Sequence, residues 1–351
     1  MNIDTIRLRS AVALLCGILP WQSLHAHHSG AEYTIGDDVT EIEGVVTRVS
    51  WGNPHILFTV VVMDKDGKEV PWMLETASAI AMTRRSVPKN LLEPGMTVRV
   101  VGHASKRRPS HMSATNVLLP SGLEIVLTPD GADRRLSDRS VGMATDSYSS
   151  SGPLPADGRG VFRIWSWEPV AQFWMMLEPE NYPLTAGALA AQAQWDQYDP
   201  ADNPVLRCEP PGLPATMGDP HPIELVERGD TIEIHMEEFD QVRTIHMART
   251  QDPESVPRSP LGYSVGRWEK DSLVVVTTRL NARYFNRHGV PQSEQARVEE
   301  RFTPDAPNGR LNYVLTVTDP INLREPFVQR LVWNWNENAY LQRYDCQVNE
   351  E

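Results

Sequence analysis

Beyond its first 26 residues the chain contains no apolar run approaching the roughly 20 residues that a membrane-spanning helix needs, so no stable membrane span is expected. Positive charge is in short supply. The formal net charge is −13 over 351 residues, and an acidic surface repels a phosphate backbone, which argues against a nucleic-acid partner. The one basic cluster, Lys106-Arg107-Arg108, is too short to reverse this and reads as a solvated hairpin tip. Several signatures are missing. There is no Ser-His-Asp order to trust, no His-Glu-x-x-His, no phosphate-binding loop and no dinucleotide fingerprint, so no nucleotide cofactor is expected. Cysteine is scarce as well: past the leader only Cys208 and Cys346 remain, enough for one bridge.

What is present begins with an address. Arg7 and Arg9 precede an apolar run from Ala11 to Pro20, and Leu24-His25-Ala26 ends the segment on a small residue. Residues 1–26 therefore read as a secretory signal peptide, and the mature protein is expected to be soluble and exported, to a bacterial periplasm or beyond. An oxidising compartment favours a Cys208–Cys346 disulfide; the alternative is a pair of buried thiols. Cleavage after Ala26 leaves His27 and His28 at the front of the chain. A terminal amine beside an imidazole chelates transition metals, and three nitrogens in a T favour Cu(II). The candidate metal ligands are His27, His28 and His55, with His103 and His111 as further donors. Copper is the one cofactor the sequence suggests. Asn53-Pro54-His55 also has a purely structural reading, as a turn leading into a strand.

Periodicity gives a mainly β protein. Residues 27–128 read as an OB-like barrel. Val39–Ser50 alternates, Pro54–Met63 is apolar, Glu69–Thr76 returns after an Asp64–Gly67 turn, short helices fall at Ala77–Thr83 and Lys89–Leu92, and Met96–Ser105 and His111–Leu119 close the set. Residues 129–160, rich in Gly, Ser, Asp, Arg and Pro, read as a flexible linker. Residues 161–219 form a collar, with clustered tryptophans that plug a core or interface and a helix over Leu184–Gln197. Residues 220–351 carry nine strand-like segments joined mostly by hairpins, ending with Tyr340–Cys346. That pattern predicts an antiparallel lipocalin-like barrel or a strongly curved sheet, of a size that can enclose one small ligand.

His27-His28-Ser29, Trp51-Gly52-Asn53-Pro54-His55, Leu92-Glu93-Pro94-Gly95 and Leu119-Pro120-Ser121-Gly122 resemble a family of small secreted bacterial proteins known only as a domain of unknown function. The second half is similar to another uncharacterised secreted group, through Asn203-Pro204, Arg207-Cys208, Pro210-Pro211-Gly212, the stretch Gly262 to Glu269, and Val298-Glu299-Glu300-Arg301-Phe302. The resemblance implies export and a two-part chain, and no activity.

In the second domain, Glu233, His235 and Glu237 share one strand face and read as solvated. Arg243 and His246 point to opposite faces. Glu300 alternates with Val298 and Phe302, so its carboxylate needs a partner, Arg243 or Arg267. The ligand-binding candidates are Arg243, Arg267, Trp268 and Glu300. The catalytic candidates are Glu300, Arg243 and His246, with His288 as a further proton-transfer group. The leading expectation is binding of a small hydrophobic or amphipathic molecule inside the second barrel. The alternatives are an enzyme of isomerase, cyclase or hydratase type working by acid–base chemistry in that lumen, and an envelope assembly factor without a small ligand.

Overall fold

In the computed structural model the described residues are 33–34, 36, 38–144, 149–167, 182–196, 199–219, 221–248 and 252–348. The leader, His27 and His28 lie outside them, as do Phe173 and Trp174 of the tryptophan cluster.

The first unit is a five-stranded barrel. Its strands are β1 (Thr40–Ser50), β2 (Ile56–Met63), β3 (Glu69–Thr76), β4 (Thr97–Ala104) and β5 (His111–Leu118), with helix α1 (Ala79–Arg84) between β3 and β4. β1 pairs with β2 and β4, β2 with β3 and β4 with β5, all antiparallel. A parallel β3–β5 pairing closes the ring. This is the OB-like order expected from the sequence. Alternation places Ile42 and Val46 of β1 in the core with Phe58, Val60, Leu74, Val100 and Met112, while Met82 of α1 is fully buried among them. Ser78 caps α1 by accepting from the Ala81 amide. The expected second helix at Lys89–Leu92 is a run of turns instead. Gly44 must be glycine for close approach: a Cβ there would collide with the Val61 carbonyl of the facing strand.

The described residues between 129 and 160 make defined contacts, where their composition suggests a flexible linker. Two short strands, β6 (Glu124–Val126) and β7 (Ser140–Val141), extend the sheet beyond β5. The buried Glu124 carboxylate accepts from the Leu136 and Ser137 amides, and Arg85 Nε donates to the Gly142 and Ala144 carbonyls. Further on, Ser151 and Leu154 donate their amides to Trp335 and Ala306 of the second unit. Buried polar side chains satisfy this backbone, which composition alone does not reveal.

The second unit is a closed nine-stranded barrel, in the order β10-β11-β12-β13-β14-β15-β16-β8-β9. Its strands are β8 (Ile164–Trp167), β9 (Ile223–Arg228), β10 (Thr231–Met236), β11 (Gln241–His246), β12 (Tyr263–Glu269), β13 (Ser272–Thr278), β14 (Arg297–Asp305), β15 (Arg310–Thr318) and β16 (Phe327–Asn334). A ring with an odd number of strands cannot be antiparallel throughout. The one parallel seam is β11–β12, held by two register pairs, Ile245↔Ser264 and His246↔Val265.

The ninth place is filled differently from the sequence pattern. Tyr340–Cys346 is not a barrel strand; β8, from the tryptophan-rich collar, stands between β9 and β16. Trp165 of β8 is completely buried and donates its indole N–H to the Val161 carbonyl at 2.8 Å. Helix α2 (Ala186–Gln192), capped by Thr185, packs Ala188 and Gln192 inward.

The chain after β16 leaves the barrel and binds the first unit. Asn53 donates its side-chain amide to the Tyr344 carbonyl and accepts on its own carbonyl from the Gln347 amide. Cys346 bridges to Cys208, 138 residues away. Glu237, expected on a solvated face, is buried. The strand ends at Met236 and the chain turns, so the alternation stops before Glu237. Its carboxylate is shared by Arg84 of α1, His221 Nδ1 at 3.0 Å and the Gln342 amide at 2.8 Å. Burial pushes this carboxyl up, but the bonds from His221 and Arg84 and the Arg84 charge outweigh it and hold the group below the ordinary range.

Among the described residues no helix is long and apolar enough to cross a membrane.

Candidate functional site

The interior of the nine-stranded barrel holds two of the residues that the sequence singled out, Arg243 and Glu300, within a buried core. Arg243 reaches across from β11 to β14 and donates to both oxygens of Glu300, forming a bidentate pair. Arg243 also donates to Ser264 Oγ at 3.1 Å and Thr277 Oγ1 at 2.7 Å, and Tyr313 donates its hydroxyl to Glu300 Oε1 at 2.8 Å. Arg243 and Glu300 are 1% and 0% exposed, and Phe302, Tyr313, Trp333 and Trp165 pack around them in the same core. Burial pushes the Tyr313 hydroxyl well up, and the neighbouring Glu300 charge adds to it. Every oxygen of the carboxylate has a partner and no solvent reaches it. Such a network pins strands together.

The other candidates are elsewhere. Arg267 is exposed and pairs with Glu269, and Trp268 is 44% exposed against Phe162. His246 lies on the opposite face of β11 from Arg243 and packs on Tyr263 with ring centroids 4.9 Å apart. His288 is buried beside Trp195. The structure brings together Arg243 and Glu300 and leaves Arg267, Trp268, His246 and His288 apart from them. Cys208 and Cys346 are joined.

The open site is on the first barrel. A cleft of about 410 Å³ lies over the outer faces of β1, β2, β3 and the start of β5. Register fixes its floor. Arg48, Thr59, Met73 and His111 form one cross-strand row, and Ser50, Leu57, Glu75 and Ser113 form the next. His55 stands one row further on, at the turn into β2. At the basic end, Arg108 of the β4–β5 turn donates to the Tyr33 hydroxyl at 2.9 Å, and Tyr33 donates to Glu75 at 2.7 Å. The second unit supplies the rest of the lining, a roof of Leu206, Arg207, Gln347 and Val348 together with Pro200. The Cys208–Cys346 disulfide joins the two roof segments directly. The Asn53–Cys346 bridge lays the tail alongside the Asn53-Pro54-His55 turn.

His55 and His111 are the two imidazoles of this cleft. Each sets Nδ1 against a backbone carbonyl, Thr76 at 3.0 Å and Pro109 at 2.9 Å. A carbonyl only accepts, so in each contact Nδ1 is the donor. The two rings cannot share an ion. They stand two side-chain rows and two strand spacings apart, roughly 15 Å by sheet geometry. No group of three metal-ligating side chains gathers among the described residues. His103 lies on a separate surface, its ring nitrogens facing two acceptors, the Asp38 carbonyl at 3.3 Å and the Asp130 carboxylate at 3.2 Å.

Arg48, Tyr33, Met73, Leu206, Gln347 and Val348 were not singled out in the sequence, Arg108 reads there as part of a solvated hairpin tip, and Arg207 enters only through a resemblance. A signal was there. In OB-like barrels ligands meet the face of strands 2 and 3 and the loops 1–2 and 4–5, and those loops here carry Asn-Pro-His and Lys-Arg-Arg.

The fold and the cleft together define a two-barrel β protein with an OB-like unit whose outer β1–β3 face shares a cleft with its own C-terminal unit. Residues 18–113 match a family of unknown function (DUF6152). The matched region runs through β4 to the first residues of β5, so it carries nearly all of the cleft floor. Among curated proteins, none matches the chain.

Proposed function

We propose that this chain is an exported binding protein that holds a small amphipathic molecule in the cleft between the OB-like face and the disulfide-tied roof. The observation that carries the reading is the roof. An OB face that binds a polymer stays open along its length, whereas this cleft is lined also by Val348, Gln347 and Leu206 of the second unit. The floor mixes apolar Leu57 and Met73 with polar groups at its edges, as small-molecule sites do. The disulfide fits an oxidising compartment. This reading moves the ligand from the second barrel, where sequence pattern suggested it, to the first. Titration with the neutral dye Nile red, followed by fluorescence, tests it. Saturable binding at one site, abolished by Met73→Trp, is expected; no saturable binding, or binding untouched by that substitution, overturns it.

A second reading is copper capture, and one observation favours it: His55 presents Nε2 to the cleft with Nδ1 already committed to a carbonyl, as metal-binding histidines commonly are. The remaining donors would be His27 and His28. Copper retained through dialysis by the exported protein, and lost in His55→Ala, is the expected result. Equal retention by the variant would exclude His55.

A further inference from the structure

We infer that the turn after β10 is a proton-operated latch. One proton, shared between the buried carboxyl groups of Asp219 and Glu238, keeps the chain after β16 seated on the first barrel, and loss of that proton at alkaline pH releases it.

The turn Glu237–Asp240 carries three carboxyl groups in four residues, and its backbone is left-handed at Phe239 (φ +56°) and Asp240 (φ +51°). It grips the tail at two backbone amides. Gln342 donates to Glu237 at 2.8 Å and Tyr344 donates to Asp240 at 3.0 Å. The Tyr344 ring packs on Phe239 and His221, with centroids 4.8 and 5.5 Å apart. Glu237 also holds Arg84 of the first barrel. Anything that moves this turn therefore moves the tail and the grip on the first unit together. The tail in question carries Gln347 and Val348 into the cleft.

The charges at the turn do not balance. Asp219 and Glu238 are 6% and 3% exposed, and one guanidinium serves both. Arg287 Nη2 donates to Asp219 Oδ2 at 2.9 Å and to Glu238 Oε1. The other nearby cations are committed, since Arg84 and His221 both face Glu237. Asp240 reaches solvent. Burial and the surrounding carboxylates push the Tyr344 hydroxyl up, so that phenol adds no charge. Glu238 Oε2 is buried and accepts from no donor, and the Asp219 carboxyl lies within hydrogen-bonding reach of Glu238. Two carboxylates this close, out of water, do not both ionise; a single proton between them removes the repulsion and supplies the missing hydrogen bond. Burial pushes the Glu238 carboxyl well above its ordinary range, Arg287 opposes this, and Asp219 adds to it.

The sign follows. A folded value above the unfolded one, about 4.3, gives a contribution fully present below the unfolded value and lost as pH rises through the folded one. Glu237, held low, works in the opposite sense and fails in acid. The latch is therefore closed between two limits. Past the upper one, a second buried negative charge draws Glu238 toward water beside the half-buried Arg287, and the turn follows.

Urea unfolding of the full chain and of Glu238→Gln, from about pH 5 to about pH 9, where buried glutamates titrate, tests the shared proton. Relative to the variant, the native unfolding constant should rise about tenfold per pH unit until the folded value is passed. Hydrogen exchange, corrected for the intrinsic rate, tests the latch. Protection of the Gln342 and Tyr344 amides should fall over the same range in the native protein and stay level in Glu238→Gln. A ratio of unfolding constants that does not change with pH would overturn the shared proton. A changing ratio with level protection of both amides would overturn the latch. If Glu238→Gln does not fold, the native protein decides. The infrared band of a protonated carboxyl should be present at neutral pH and vanish as the tail loses protection; its absence at neutral pH, or its loss without loss of protection, would overturn the inference.

Discussion

Glu300 and Arg243 show how much a single buried pair can be asked to do. Both are sealed in the second barrel and bond to each other and to Ser264, Thr277 and Tyr313. Glu300→Ala strands a guanidinium without solvent, and the expected loss is about 3–5 kcal/mol, seen as a lower denaturant midpoint. Replacing both partners with apolar residues of similar volume is expected to cost far less, because no charge is then left unpaired. Glu237 behaves differently because its carboxyl is held low. A depressed folded value means its contribution is fully present above the unfolded value, about 4.3, and is lost as pH falls through the folded one. The stability gap between the native protein and Glu237→Gln should therefore be widest near pH 7 and close below about pH 4 in thermal melts.

At the scale of elements, much was legible. Alternation in β1, β10 and β14 put Val46, Ile234 and Val298 inside, and the Asp64–Gly67 and Arg228–Asp230 turns set their hairpins, because period two and turn chemistry are local properties. Pairings without a local signal were not legible. β8 has four residues, too few to show a period, and nothing in Ile164–Trp167 announces that it will stand beside Phe327–Asn334. The segment Tyr340–Cys346 does alternate, but its backbone is claimed by Asn53 and Asp240 rather than by a sheet. Half of the cleft was similarly hidden: Asn53-Pro54-His55 was visible as a motif, but its cover comes from residues about 150 and 290 positions later. β8 makes its own prediction. Trp165→Ala empties the junction between β9 and β16 and should cost about 3–5 kcal/mol, as large aromatic truncations in cores do. Hydrogen exchange should show β8, β9 and β16 losing protection together.

The molecule as a whole is two closed barrels held to each other by a clasp of polar contacts, with one covalent tie inside the second unit. Arg84, His221, Glu237, Asn53 and Tyr344 make the clasp; Cys208–Cys346 makes the tie. The double substitution Cys208→Ser, Cys346→Ser releases the unfolded chain from a large loop, and a loss of about 4–5 kcal/mol is expected from chain entropy. It also unties Leu206 from Val348, so Nile red affinity should fall even at temperatures where the protein stays folded. Unchanged affinity in a folded double variant would mean that the roof keeps its shape without the bridge.

Cys208 precedes β9 and Cys346 follows β16, so eight of the nine strands of the second barrel lie on a single covalent ring. A protease that nicks one hairpin of that ring therefore yields a molecule that still runs as one band on a gel. Two fragments separate only after reductant is added, and a nicked barrel with its ring intact keeps every strand close enough to re-form.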